Sequence, residues 1–193
     1  VYGQSYPGVE LPCVKHDQES VGRLMAEFAL ARGAQRYALL THAHWRFGDH
    51  QMIDAATATL AASGVPLDSV KIRSLPPERD VVTQVVQGIL HEKDPPDAFL
   101  CRNDFYAQIV HDVALSHDGL HTGAPWIVSG GHAPLGGETD FSRVVSSLTL
   151  QVQVEHIATL LSAAASGAQR ASGSVVIPVE FTVSSPTESS EGC

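Results

Sequence analysis

The feature that most constrains this chain is a change of hydrophobic period that recurs along it. Val21, Leu24, Met25 and Phe28 fall at i, i+3, i+4 and i+7, the stripe of an amphipathic helix, and Gly33 stands where a C′ residue is needed. RYALLT, residues 36–41, then reads as a strand. Helical spacing returns from Gln51 to Ala62 and stops at Ser63-Gly64, after which SVKIRSL is a second strand. Val81, Val82, Val85, Val86, Ile89 and Leu90 make another helix, which Pro95-Pro96 separates from the strand AFLCR. A helix from Phe105 to Ser116, the strand WIVSG, the strand RVVSSLTL, a helix from Val154 to Ala165 and an extended VVIPVEFTV complete the pattern. Strands separated by helices of about a dozen residues require right-handed crossovers, so the chain is expected to be α/β, an open and mostly parallel sheet with helices on both faces.

Composition narrows what such a sheet can serve. A chain of 193 residues with 44% hydrophobic content can bury a sizeable core. Its 12 basic residues against 21 acidic ones give a formal charge of -9, which opposes binding to a phosphate backbone or an anionic membrane surface. Cys13, Cys101 and Cys193 are far apart and form no CxxC pair, so neither a disulfide framework nor a thiolate cluster is indicated, and a reducing, cytoplasmic setting is expected. No run approaches the roughly 20 apolar residues of a membrane helix. Val1 opens the sequence inside an extended pattern and without methionine, so we expect chain upstream of it, and SSPTESSEGC reads as a mobile tail.

In open parallel sheets ligands bind outside the carboxyl ends of the strands. Those ends carry Thr41 to His50, Leu75-Pro76, Arg102 to Asp104, and Ser129 to His132. The segments VKHDQESVGRLMAEFALARGAQRYALL, PPDAFLCRNDFYAQIVHDVALSHDG, WIVSGG, SSLTLQVQVE and VVIPVEF, in this order and spacing, resemble the effector-binding domain of LacI/GalR transcription regulators. PPDAFLCRND is the most specific of them, followed by the spacing from Asp17 to Gly22.

That resemblance implies the type I periplasmic-binding-protein fold, two lobes with a sugar or similar polar metabolite between them. Crossings are expected near Asp17, Thr149 and Pro178. They assign residues 1–16 to the end of a first lobe, 17–148 to a Rossmann-like second lobe, 149–177 to a return into the first, 178–186 to a final strand and 187–193 to the tail. The resemblance further implies a homodimer whose DNA contacts belong to a headpiece absent from this stretch. Carried over residue by residue, it places Asp17, Asn103, Asp104 and Gln153 at the crevice. It puts Met52 where the family carries an arginine, His132 where it carries an aspartate, and Gly3 where it carries an acidic residue. Arg46 and His50, on the neighbouring loop, are candidates to replace the lost cation and to bind ligand hydroxyls.

One stretch invites a different chemistry. THAHWRFGDH has the flavour of the HxHxDH loop of metal-dependent hydrolases, which holds two adjacent metals. Here four residues, Trp45 to Gly48, separate the second histidine from Asp49, which breaks the convergence such a site needs. Neutral imidazoles that donate to and accept from a polyol are the preferred reading, beside plain solvated loop residues. Asn103 and His132, at strand ends, are expected to matter more than His42 and His44, which are placed on the loop. Asn103-Asp104 also suits the N-cap of the following helix. Trp45 suits either a sugar face or cover for the sheet edge, His156 a surface position, and Cys101 a small buried hydrophobe.

No nucleophile elbow, Ser/His/Asp order or phosphate-cradling glycine motif occurs. The expected function is therefore ligand sensing by a transcription regulator, without enzyme activity, cofactor or metal. The alternatives are a periplasmic solute-binding protein of the same fold and a metal-dependent hydrolase.

Overall fold

A computed structural model describes residues 13–116, 123–131, 139–166 and 174–183. The elements in chain order are β1 (Cys13–His16), α1 (Gln18–Ala31), β2 (Tyr37–His42), α2 (Phe47–Ala62), β3 (Val70–Leu75), α3 (Arg79–Leu90) and β4 (Ala98–Cys101). They continue with α4 (Asp104–Leu115), β5 (Trp126–Ser129), β6 (Ser142–Ser146), α5 (Leu150–Ala165), β7 (Ser174–Ile177) and β8 (Val179–Thr182). Six strands form one sheet in the order β3-β2-β4-β5-β6-β8. The first five are mutually parallel and β8 runs antiparallel to β6. β1 and β7 pair in parallel as a separate two-stranded ladder.

Parity along the strands explains how both faces are covered. Tyr37 and Leu39 of β2, with Ala98 and Leu100 of β4, face a cluster built from Val21, Met25 and Phe28 of α1 and Met52, Ile53, Ala56 and Leu60 of α2. Ala38, Leu40, Phe99 and Cys101 face the opposite cluster, from Val82, Val86 and Ile89 of α3 and Tyr106, Ile109, Val110 and Val113 of α4. Successive side chains point to opposite faces of a strand, so continuous apolar runs such as YALL and AFLC are what a sheet buried on both sides demands. The thiol of Cys101 is fully buried and free, and burial pushes its pKa up.

The expected strands 36–41, 70–75, 98–102 and 126–130 appear as β2, β3, β4 and β5. Gly33 takes its expected place after α1 with a φ of 74°, a left-handed conformation in which glycine carries no Cβ penalty.

Three boundaries differ from the sequence reading, each for a local reason. α2 begins at Phe47 rather than Gln51, because the Asp49 carboxylate reaches back to accept from the Arg46 N–H at 2.8 Å while the Asp49 N–H donates to the Arg46 carbonyl at 2.9 Å. RVVSSLTL is a strand only as far as Ser146. The Ser146 hydroxyl bonds locally to both the N–H and the carbonyl of Leu148, and Thr149 caps α5 by accepting from the Val152 N–H. VVIPVEFTV is two strands in different sheets, broken at Pro178, which has no N–H to continue a ladder.

The chain passages at Asp17, Ser147 and Pro178 lie side by side. The Asp17 N–H donates to the Ile177 carbonyl at 3.0 Å, and the Ser147 N–H donates to the Pro178 carbonyl at 3.1 Å. They join the six-stranded sheet to β1, β7 and α5.

Candidate functional site

Strand order locates the site before any side chain is considered. β2 connects through α2 to a neighbour on one side and β4 lies on its other side, so the crevice at a topological switch point opens outside the carboxyl ends of β2 and β4. β2 ends on His42, which pairs with Leu75 of β3, and β4 is followed by Arg102 and Asn103. His42 is thus a strand residue, held by the ladder, and not a loop residue as the sequence reading has it.

These strand ends converge on a chain of polar contacts. Asn103 is the N-cap of α4, its Oδ1 accepting from the Tyr106 N–H at 3.1 Å. That contact orients the carboxamide, leaving Nδ2 3.1 Å from His42 Nε2. An amide N–H needs a lone pair to donate to, so this contact is a hydrogen bond in the tautomer that carries the imidazole proton on Nδ1. Nδ1 faces Asp49 Oδ2 at 3.7 Å. Asp49 Oδ1 in turn accepts from Arg102 Nε.

Asp49 is fully buried. Burial pushes its pKa up, but the His42 imidazole, the Arg102 guanidinium and the Arg46 N–H together outweigh this and hold the carboxyl well below the usual range. It is a fixed anion. His16, at the end of β1, has its pKa lowered by burial and by the positive charge of Arg102, against a hydrogen bond with Gln153 that raises it.

A second cluster occupies the ends of β4 and β5. Asp104 Oδ1 accepts from the Ser129 hydroxyl at 2.6 Å, and Oδ2 from Arg143 Nη2 at 2.5 Å. The Gly131 N–H donates to the same Ser129 hydroxyl at 3.1 Å. A Cβ on Gly131 would lie 2.4 Å from Asp104 Oδ1, so the backbone must be bare where it passes this carboxylate.

The sequence candidates are placed unequally. Asn103 and Asp104 stand at the edge where they were expected, Asn103 in the His42 chain and Asp104 in the ion pair with Arg143. Asp17 caps α1, accepting from the N–H and hydroxyl of Ser20 at 2.9 and 2.7 Å. Gln153 is buried, donating to the Leu148 carbonyl at 2.9 Å and the Ser146 hydroxyl at 3.1 Å. Arg46 and His50 are exposed at the start of α2, His50 edge-on to the Trp45 ring at 5.0 Å. Trp45 packs at the sheet edge and donates to the Ser74 hydroxyl at 2.7 Å.

Met52 needs correction. Because α2 starts at Phe47, residue 52 falls on the buried stripe with Ile53, Ala56 and Leu60, and its side chain is fully enclosed. It offers nothing to a crevice. His132 and Gly3 lie outside the described residues.

Sequence reasoning included Asp49, Arg102 and Ser129 only as parts of the strand-end segments and did not single out Arg143. Their signal was faint: Arg102, Ser129 and Arg143 are single polar residues at the end of or inside apolar strands, and Asp49 sits in the first turn of a helix. Among the described residues no group of three or more His, Cys, Asp or Glu side chains is placed to hold a metal ion. What the edge supplies is a set of oriented donors and acceptors, including an amide, an imidazole and a buried carboxylate paired with a guanidinium. That is the chemistry of hydroxyl recognition.

The fold has counterparts among solved structures. A LacI family transcriptional regulator from Enterococcus faecium with bound ribose superposes with a TM-score of 0.79 at 16% identity, over 96% of this chain and 70% of its own. The chain has the fold of the LacI-family regulators. A LacI family transcriptional regulator from Mycobacterium smegmatis superposes with a TM-score of 0.73 at 18% identity, over 95% of this chain and 68% of its own. The CelR regulator in complex with cellobiose gives 0.75 at 14%, over 96% and 57%. At these identities the likeness is one of architecture. This chain spans about two thirds of the E. faecium and M. smegmatis LacI-family chains. No protein-family model matches the sequence, and no curated protein matches it. Within the LacI-type fold the described helices include none long and apolar enough to cross a membrane.

Proposed function

We propose that this chain is the ligand-sensing part of a transcription regulator, and that a sugar or similar polar metabolite binds at the carboxyl edge of the six-stranded sheet. The observation that carries this reading is the His42 and Asn103 pair at the switch point of a LacI-type fold. Two solved structures of that fold are described with ribose and with cellobiose, molecules dense in hydroxyls. Residues 17–148 form one lobe, β1, β7 and α5 belong to a second, and the passages at Asp17, Ser147 and Pro178 are the hinge between them. Ligand binding favours one arrangement of the lobes, so the output is a population shift rather than a reaction. DNA contact and dimer geometry belong to the whole regulator, since a chain of net charge -9 is poorly suited to grip phosphates itself.

A thermal-shift panel of pentoses, hexoses, cellobiose, nucleosides and sugar acids tests the proposal. A ligand at 100 times its Kd stabilises the folded form by about 2.7 kcal/mol, enough to raise the midpoint clearly. Asn103→Ala should remove that shift. Failure of every polyhydroxylated compound to move the midpoint, with an organic acid or amine succeeding instead, would sink the sugar reading.

A further inference from the structure

We propose that His42 is a positioning residue of the crevice: it locks the Asn103 carboxamide in one orientation and thereby decides that the crevice presents an amide N–H donor to its ligand. The inference rests on the effector-site reading above for its ligand half only. The orientation itself follows from bonds within the chain.

Three constraints act in series. The Tyr106 N–H, one of the orphan donors at the start of α4, needs an acceptor, and Asn103 Oδ1 supplies it at 3.1 Å. Asn103 Nδ2 must therefore point to His42 Nε2, 3.1 Å away. His42 can accept there only while Nδ1 holds the proton, and Nδ1 is turned toward the carboxylate of Asp49. Asp49 is kept anionic by Arg102. Reversing the amide would set Nδ2 against the Tyr106 N–H, donor against donor, and open the cap.

Counting valences gives the specificity. Nδ2 has two hydrogens and spends one on His42; Oδ1 has two lone pairs and spends one on the cap. The free N–H, on a partly buried residue at the strand edge, suits a ligand hydroxyl or ring oxygen acting as acceptor. The groups facing the imidazole are Asp49 from α2, Arg102 from the end of β4 acting through that carboxylate, and Tyr106 from α4, whose ring centroid is 5.8 Å away. Glu78 acts in turn on Tyr106. Protonation of Nε2 would put an N–H against the Asn103 amide, so the lock holds only for a neutral imidazole.

The test has one arm without ligand and one with it. In the folded chain labelled with 15N at histidine, long-range imidazole correlations should show the His42 proton on Nδ1, with Nε2 left as the acceptor from Asn103. A proton on Nε2 overturns the proposal. In the second arm D-ribose and cellobiose are titrated calorimetrically. His42→Ala should weaken whichever sugar binds by about five-fold or more, the loss of one oriented hydrogen bond. His42→Gln, whose side-chain oxygen can accept from the same amide, should restore most of it. Equal affinity of wild type and His42→Ala for a bound sugar overturns the ligand half. If neither sugar binds the wild type, the effector-site reading fails for these sugars while the tautomer still decides whether His42 orients Asn103.

Discussion

Arg102 Nε donates to Asp49 Oδ1 across the gap between the end of β4 and the first turn of α2, joining residues 53 positions apart. Both side chains are largely withdrawn from solvent, with exposures of 12% and 1%. Asp49 uses its other oxygen for the Arg46 N–H and faces His42 with it, so one carboxylate starts a helix, neutralises a guanidinium and orients an imidazole.

Removing that charge should be costly. Breaking a buried ion pair by deleting one partner typically costs about 3 to 5 kcal/mol, because the other charge stays behind unpaired. Asp49→Asn is isosteric and still able to accept, so a loss near about 3 kcal/mol is expected in urea unfolding. The double variant Asp49→Asn with Arg102→Met should be less destabilised than the sum of the two singles, as a double-mutant cycle would show.

The same group sets a pH dependence. In the unfolded chain the Asp49 carboxyl titrates near its ordinary 3.8, and in the folded chain well below it. The unfolded state therefore binds the proton first, and stability that is complete above that value is lost as the pH falls below it. His16 acts in the same direction at higher pH: its folded pKa lies below the ordinary 6.5, so stability declines as the pH falls through that value and the unfolded imidazole charges. Thermal midpoints from pH 8 to pH 3 should fall in these two steps, and Asp49→Asn should flatten the lower one.

Two glycines should respond oppositely to alanine. A Cβ on Gly22 would lie 2.0 Å from the Met52 carbonyl oxygen, where α1 and α2 pack backbone to backbone, so Gly22→Ala forces the helices apart. Overpacking of this kind costs about 1 to 3 kcal/mol. Gly88 lies inside α3 with open space around it, and Gly88→Ala should stabilise by about 1 kcal/mol through helix propensity. Equal shifts in the two denaturation midpoints would contradict the packing described.

Restoring an arginine at position 52 should fail. Met52 is enclosed among Val21, Met25 and Ile53, so Met52→Arg buries a charge with no partner rather than offering one to the crevice. We expect loss of cooperative unfolding by near-ultraviolet circular dichroism and no gain of affinity for sugar acids.

Period and parity in the sequence are enough to specify the architecture. The alternation of helical stripes with YALL, AFLC and WIVS demands a parallel sheet covered on both faces, and that sheet dictates at which edge a ligand site is to be sought. The N-cap role of Asn103 was legible too, because it depends only on neighbours along the chain. The start of α2 was not, since FGDH shows no apolar stripe and its helix is nucleated by the Asp49 carboxylate folding back on Arg46.

Tertiary structure alone decided which polar residues meet. His42, Asp49, Arg102 and Asn103 come from the end of β2, the first turn of α2 and the junction between β4 and α4, and nothing in their spacing says that β4 will lie beside β2 with Cys101 opposite Leu40. Once that register is set, the side-chain period of two sends His42 toward α4 and Arg102 toward α2, and the four groups line up through two hydrogen bonds and the close His42–Asp49 contact. Met52 is the converse case. Its type admitted either a crevice or a core, and the angular position imposed by an earlier helix start turned it inward.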